Sequence, residues 1–193
     1  MASSFFEVFR ELNLGDEAHS CLECASVNKV TVSTDRSIVH IYLESDRLIP
    51  KRFIAEAQRA VKKQLFPKDS AVKVKIVEKY RLSAQYNAKA LMEMYQDSIL
   101  YELKDYNIFL YQLFKNAGLN FTDTGSLTMT LEDSCISKEY APQLEQILTK
   151  IFCERCGQDF KLTLRFDQPK KSKRKALNDK MIEEEVALIS DTI

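Results

Sequence analysis

The stretch between Pro50 and Pro67 constrains the fold most, because it predicts an amphipathic helix with a strand on either side. Ile54, Ala57, Val61 and Leu65 recur at helical spacing on one face, while cations occupy the opposite face. Pro50 suits the first turn of a helix, where its missing N–H does no harm, and Pro67 stops the helix. The run "IVHIYL" precedes it and the alternating run "AVKVKIVEKY" follows it. This order predicts a mixed lobe in which a helix packs on a sheet.

The elements upstream complete a first lobe. Phe5, Phe9 and Leu12 fall on one helical face that Gly15 ends, and a weaker helical turn follows over residues 16–24. "KVTVS", the turn residues "TDRS" and "IVHIYL" predict a β-hairpin. Residues 1–82 are therefore predicted to fold as helix, strand, strand, helix and strand.

A second lobe is predicted over residues 83–167. Helical patterning runs from about 88 to 117 with a break near Asp105, and Gly118 is the expected residue after the helix end. "SLTMTLED" predicts a strand, the stripe from Pro142 onward predicts a helix that Gly157 ends, and "DFKLTLRF" predicts the last strand. The chain contains no internal sequence repeat, although both lobes alternate helices and strands. The predicted class is α+β with two small lobes.

The last residues, 168–193, differ from both lobes. The basic block "PKKSKRK" predicts a flexible linker, and the acidic and apolar run "MIEEEVALI" resembles the opening of another domain. We expect this tail to be mobile on the nanosecond scale. The expectation is that the chain is a piece of a longer protein.

Composition excludes several classes of protein. Hydrophobic residues make up 45% of the chain, which is enough for packed cores and excludes wholesale disorder. No apolar run approaches the roughly 20 residues of a membrane helix, and the N-terminus does not have the pattern of a secretory signal. Five cysteines, an odd number, fit reduced thiols better than a disulfide framework. The sequence predicts a soluble cytoplasmic protein with no membrane partner.

No active site or cofactor is predicted. The four glycines form neither a dinucleotide-binding loop nor a phosphate-binding loop, and there is no nucleophile-elbow motif. His19 and His40 are the only histidines, and His40 fits a strand among apolar neighbours better than a general base. We therefore predict that the chain contains no catalytic residue.

Two Cys-x-x-Cys motifs are the strongest candidates for chemistry. Four thiolates at this spacing can hold a structural zinc ion, and a thiol-redox pair is a further alternative. However, Cys153 lies at the end of a helical stripe, and the two pairs belong to different lobes. Small, partly buried helix residues are the favoured interpretation, so no metal is predicted. The candidate ligands are Cys21, Cys24, Cys153 and Cys156.

A basic face is the main candidate for binding. Residues 51–81 contain ten Lys and Arg residues and three acidic residues. Some of the cations lie on the predicted helix and others on the outward side of the next strand, and together they could follow a phosphate backbone. An ordinary solvated surface is the alternative. The candidate nucleic-acid-binding residues are Lys51, Arg52, Arg59, Lys62, Lys63, Lys73 and Lys75.

The first helix is a candidate for protein contact. One face of a helix cannot bury all three of Phe5, Phe6 and Val8. Either some of them bind in a groove of a partner protein, or the core of this chain takes most of them. These three residues are the predicted partner-binding set.

The order of motifs resembles the amino-terminal region of PolC-type DNA polymerase III α subunits. The resemblance rests on "LIPKRFIAEAQRAVKKQLF" after the hairpin, "YQDSILYELKD", "LEQILTKIF" and "MIEEEVALI", which resembles the run into that family's OB-fold domain. It implies a first lobe similar to the clamp-loader tau C-terminal domain and DnaA domain I, and a second lobe similar to a type II KH fold. The chain lacks the Gly-x-x-Gly loop with which KH domains clamp a backbone, so binding by the second lobe is not implied. None of the family's catalytic residues falls on this sequence.

The resemblance predicts a non-catalytic module of a replicative polymerase. Its expected partners are replisome proteins, such as clamp-loader or helicase-loading components, and single-stranded DNA bound weakly. The alternative is a self-standing adaptor or initiator-like interaction domain.

Overall fold

Two β-sheets organise the chain, each with helices on one face. The computed structural model describes residues 3–67, 71–83, 85–123 and 125–168. A four-stranded and a three-stranded sheet lie in this part of the chain. The predicted α+β class is therefore confirmed. We refer to the elements around the two sheets as the first and second lobes. The basic tail predicted from residue 168 lies outside the described residues, apart from Gln168.

The first sheet has the order β1-β2-β3-β4, in which β3 and β4 are parallel and the other pairs antiparallel. Helix α3 connects the two parallel strands, as the proline-framed segment predicts. The elements are β1 (Ser3–Ser4), α1 (Phe5–Val8), α2 (Asp16–Leu22), β2 (Ala25–Val32), β3 (Ile38–Ser45), α3 (Lys51–Leu65) and β4 (Lys73–Tyr80).

The apolar patterns pack α3 on the sheet as the sequence predicts. Ile54, Ala57 and Val61 on α3 are at most 1% exposed, whereas Leu65, predicted on the same face, is 51% exposed because it is the last residue of the helix. On β4, Ile76 faces the helices, while Lys73 and Lys75 alternate to the opposite face. Each lysine on the odd positions of β4 therefore points to the open face of the first sheet.

The first helix is shorter than predicted. Helix α1 ends at Val8, because Phe9 leaves the helical region with ψ of 59°. Phe5 is fully buried, with its ring 5.2 Å from Phe6 and 5.0 Å from Phe9. Leu12 reaches the core from the following turn instead of from the same helix.

The second sheet has the order β5-β6-β7, antiparallel and then parallel. A π-helical segment extends the last helix, and Gly157 ends it with a positive φ of 64°. The elements are α4 (Ala88–Tyr106), α5 (Ile108–Lys115), β5 (Gly118–Phe121), β6 (Ser126–Glu132), α6 (Cys135–Thr149), the π-helical segment (Lys150–Arg155) and β7 (Lys161–Asp167).

The predicted break near Asp105 is confirmed and falls at Asn107, whose side chain accepts a hydrogen bond from the Phe109 N–H. Two other details of the second lobe differ from the prediction. Gly118 does not follow the helix as a cap but opens β5, which pairs with β6 and was not predicted. Helix α6 begins well before Pro142, because the Ser134 side chain caps it by accepting from the Ser137 N–H.

The two lobes share one connectivity. Each runs through two helices, two antiparallel strands, a helix and a final strand parallel to the second, with only β1 added in the first lobe. The predicted alternation of helices and strands is therefore confirmed, and it extends to strand pairing. The two lobes share this order of elements although their sequences do not repeat.

Candidate nucleic-acid interface

Four charged side chains meet where the lobes pack together. Arg155 donates two hydrogen bonds to the Glu102 carboxylate, at 2.7 and 2.9 Å. Its Nη1 also lies 3.5 Å from Oε1 of Glu78. The Lys51 ammonium contacts Glu78 directly and lies 3.6 Å from Oε2 of Glu102. We call these four residues the ion-pair cluster, in which each carboxylate has a cation from each lobe.

The ion-pair cluster is largely removed from water. The Glu78 side chain is 2% exposed, and the side chains of Lys51 and Arg155 are 15% and 17% exposed. Burial opposes ionisation of Glu102, but the hydrogen bonds and charge of Arg155 outweigh it and lower the Glu102 pKa. Burial likewise opposes the charge on Arg155, yet Glu102 and Glu78 raise its pKa. Glu102 and Arg155 are therefore held in their charged forms.

The π-helical segment brings Arg155 to this cluster. The Cys156 N–H bonds to the Ile151 carbonyl at 3.1 Å, five residues back, which widens the last turn of the helix. Ile151 and Phe152 stay in the core, at 2% and 0% exposure. The wider turn therefore keeps the apolar residues inside while Arg155 faces α4 and β4.

Two buried tyrosines lie beside the ion-pair cluster and join the lobes. The Tyr80 hydroxyl, at the end of β4, donates to the Ile49 carbonyl at 3.1 Å. It lies 3.5 Å from the hydroxyl of Tyr95 on α4, and the rings meet edge to face. Burial raises the pKa of both phenols. The tyrosines therefore extend the contact between lobes as neutral, hydrogen-bonded groups.

A cationic groove runs over the ion-pair cluster. We call the cavity of about 650 Å³ that is lined by Lys29, Tyr42, Lys75, Lys79 and Lys150 the interlobe groove. The first four come from the open face of the first sheet, since Lys29 pairs with Tyr42, and Lys75 and Lys79 alternate along β4. Lys150 comes from the second lobe. The lining contains six cations and three carboxylates, so the groove carries net positive charge.

The four lysines form no salt bridge within the described part of the chain, although Lys79 interacts with the charge of Glu44 at longer range. None of Lys29, Lys75, Lys79 and Lys150 has an acidic oxygen within 4 Å among those residues. The Lys29 ammonium lies 4.4 Å from the centre of the Tyr42 ring. The groove therefore offers free ammonium groups to an anionic ligand.

A second cavity continues the groove between α4 and α6. It has a volume of about 340 Å³ and shares Lys75 and Lys150 with the interlobe groove. Tyr106 and Gln143 line its far end, and Ile147 contributes to an apolar wall. The two cavities together form one path from the first sheet to the α4–α5 corner.

The structure separates the predicted basic residues into two sets. Arg52, Arg59 and Lys63 are exposed on the side of α3 that faces away from the sheet, and Lys62 is partly buried on the same helix. Lys73 and Lys75 project from the opposite face of the sheet. The two sets therefore do not form the single surface that the sequence suggested.

Lys51 has a different environment from the other predicted residues, because it belongs to the ion-pair cluster. The predicted nucleic-acid-binding set does not include Lys29, Lys79 and Lys150, which also line the groove. Lys79 had a local signal, because it continues the outward alternation of Lys73 and Lys75 along β4. Lys29 and Lys150 had none, since Lys29 is placed by its pairing with Tyr42 across β2 and β3, and Lys150 by the packing of the second lobe.

The predicted partner-binding residues are only partly accessible. Phe5 is fully buried. Phe6 is half-buried and stacks on His19 with ring centres 4.0 Å apart. Val8 is 41% exposed. The structure therefore places Phe5 in the core and leaves Val8 as the accessible member of the set.

The two Cys-x-x-Cys pairs lie apart. Cys24 donates to the Cys21 carbonyl at 3.1 Å, just after the end of α2, while Cys153 lies in the π-helical segment and Cys156 directly follows it. Burial raises the pKa of the Cys156 thiol to about 12. Within the described residues, no group of three or more His, Cys, Asp or Glu side chains is arranged to hold a metal ion.

Comparison with known proteins gives one finding for this chain. Residues 4–76 match the family model described as DNA polymerase III polC-type N-terminus I. The predicted resemblance is therefore confirmed over the first lobe. No curated protein and no solved structure matches the chain. Among the described residues, no helix is both long enough and apolar enough to cross a membrane.

Proposed function

Residues 4–76 match the family model of the polC-type DNA polymerase III N-terminus, and on this premise we propose that the chain binds single-stranded DNA in the interlobe groove. It acts as a non-catalytic module of the polymerase in the cytoplasm. The observation that carries this proposal is the convergence on one groove of four lysines from two lobes, none of them in a salt bridge among the described residues. The ion-pair cluster beneath them supports it, because two of the three carboxylates in the lining, Glu78 and Glu102, are already paired with cations.

In this proposal the lysines of the interlobe groove bind the strand in place of the Gly-x-x-Gly loop that the second lobe lacks. We propose that the first lobe resembles the tau C-terminal domain and DnaA domain I, and that the second resembles a type II KH fold. Because the chain contains no Gly-x-x-Gly loop, a strand is bound by lysine side chains rather than by a backbone clamp. Replisome proteins, such as clamp-loader or helicase-loading components, are the proposed protein partners, with the exposed Val8 at their contact.

The salt dependence of binding follows from the number of lysines. Each neutralised phosphate on a single strand contributes about −0.7 to the slope of log affinity against log salt concentration. Four lysine contacts therefore predict a slope of about −3. Such binding is weak at physiological salt and readily measured at low salt.

Charge reversal in the groove tests the proposal. The measurement is fluorescence anisotropy of labelled oligo(dT) with the full chain at several salt concentrations. The double variant Lys75→Glu/Lys79→Glu is expected to abolish most of the affinity and to flatten the salt slope. The matched control is Arg59→Glu/Lys63→Glu, which changes net charge equally on the far side of α3 and is expected to keep the slope.

Two results contradict the proposal. One is the absence of any oligo(dT) binding at low salt. The other is an equal loss of affinity in both double variants, because that result indicates only a general effect of net charge.

A further inference from the structure

We propose that Tyr106 is a base-stacking residue at the end of the interlobe groove, so that the bound strand places an unpaired base at the α4–α5 corner. This inference rests on the proposed function, because it describes how the same strand continues beyond the lysines. It adds contact with the bases, which lysine–phosphate contacts alone do not provide.

Tyr106 is unusually accessible for an aromatic residue. It is the last residue of α4 and is 64% exposed, more than any other large apolar or aromatic side chain in the described ranges. Its hydroxyl accepts a hydrogen bond from Gln143 Nε2 at 3.2 Å. A ring that is held at its hydroxyl and open elsewhere is suited to stacking, because little rotational freedom remains to be lost.

The cavity beside Tyr106 supplies an apolar wall and a cationic wall. Ile147 on α6 is the partly exposed apolar residue of this wall, and Leu103 and Ile151 behind it are buried in the core. Lys75 and Lys150 line its other end, where it joins the interlobe groove. Bases can therefore lie against the apolar wall while their phosphates face the lysines.

This arrangement favours a single strand over a duplex. Base faces in a duplex are already stacked on one another, whereas unpaired bases stack on exposed aromatic rings with little dependence on sequence. Phe109, which follows the α4–α5 break, is a second exposed aromatic residue, at 47% exposure, and it stacks on Tyr140 with ring centres 5.4 Å apart. The ligand is therefore a single-stranded nucleic acid that is bound through both phosphates and bases.

The test separates stacking from charge. The full chain is titrated into oligo(dT) that contains one 2-aminopurine, whose fluorescence falls when it stacks, and anisotropy is recorded in parallel. Tyr106→Ala is expected to weaken binding by about fivefold or more and to remove the quenching, while the salt slope stays unchanged. Tyr106→Phe keeps the ring and is expected to retain both signals. Tyr101→Ala removes a tyrosine that lies outside both cavities on the same helix and is the matched control.

The outcomes distinguish this inference from the proposed function. If Tyr106→Ala binds and quenches like the unmodified chain while Lys75→Glu/Lys79→Glu loses binding, the stacking role is refuted and the groove remains. If the unmodified chain does not bind at low salt, both proposals fail. Equal weakening by Tyr101→Ala also refutes the role, because it indicates a general effect on α4. Circular dichroism confirms that each variant is folded.

Discussion

Replacing Arg155 by Met tests whether the ion-pair cluster joins the two lobes. The substitution keeps most of the aliphatic volume but removes the charge and both hydrogen bonds to Glu102. Glu78 loses the cation at 3.5 Å and keeps only Lys51. The free energy of unfolding is therefore expected to fall, because two carboxylates then share one cation.

The burial of these groups sets the size of the effect. Removing one partner of a buried ion pair costs about 3–5 kcal/mol, because the remaining charge is left without compensation. Here the Glu102 side chain is 28% exposed and Lys51 stays within 3.6 Å of it. Partial compensation places the expected loss at the lower end of that range, about 3 kcal/mol.

Urea unfolding followed by far-UV circular dichroism measures this loss. The matched control is Arg81→Met, which removes a cation that is 75% exposed and pairs with Glu44. Exposed pairs contribute at most about 1 kcal/mol. The double variant Arg155→Met/Glu102→Gln is expected to recover part of the loss, because the unpaired charge is removed as well. A loss for Arg155→Met no larger than that for Arg81→Met would refute the reasoning.

Three further predictions concern other parts of the molecule. In the folded chain, the exposed thiols of Cys24 and Cys135 should react with a disulfide reagent at pH 8, whereas Cys156 should react only after denaturation. Because burial raises the pKa of Cys156 from 9.0 to about 12 and also raises that of Tyr95, the unfolded forms lose their protons first. These two groups should therefore leave the free energy of unfolding unchanged below pH 9 and lower it between pH 9 and 12, as measured in urea titrations. Gly157→Ala should lower the free energy of unfolding by about 1 kcal/mol, since an L-residue is strained at φ of 64°. A change near zero would contradict this prediction.

The first lobe was predictable because its signals are local. Residues 38–43 and 72–76 alternate in the manner of half-buried strands, and the helix between Pro50 and Pro67 has one apolar face. The structure places β3, α3 and β4 within a few residues of those predictions. In each case the period of the pattern decides the element without information from the rest of the chain.

The differences in the second lobe come from local signals with two interpretations. Gly118 fits the end of a helix as well as the start of a strand, and only pairing with Thr130 on β6 decides for the strand. Proline is common in the first turn of a helix, so Pro142 suggests a helix start. However, Ser134 caps a longer helix that contains Pro142. The π-helical turn has no sequence signature that distinguishes it from an α-helical end.

The candidate site was the least predictable part, because it depends on the packing of the lobes. Lys51 is indistinguishable in sequence from the solvated cations of α3, and only its approach to Glu78 and Glu102 shows its role. Lys150 reaches the groove from a helix that lies far from β4 in sequence. Contacts across such separations leave no periodic pattern, so residue spacing alone could not identify them.

Mapping the oligo(dT) interface by NMR tests the central claim most directly. The measurement is the change in backbone amide shifts of the ¹⁵N-labelled full chain as oligo(dT) is added at low salt. The largest changes are predicted on β4 around Lys75 and Lys79, at Lys150 and at Tyr106, with the outer face of α3 at Arg59 unaffected. Changes centred on α3, or no changes at all, would contradict binding in the interlobe groove.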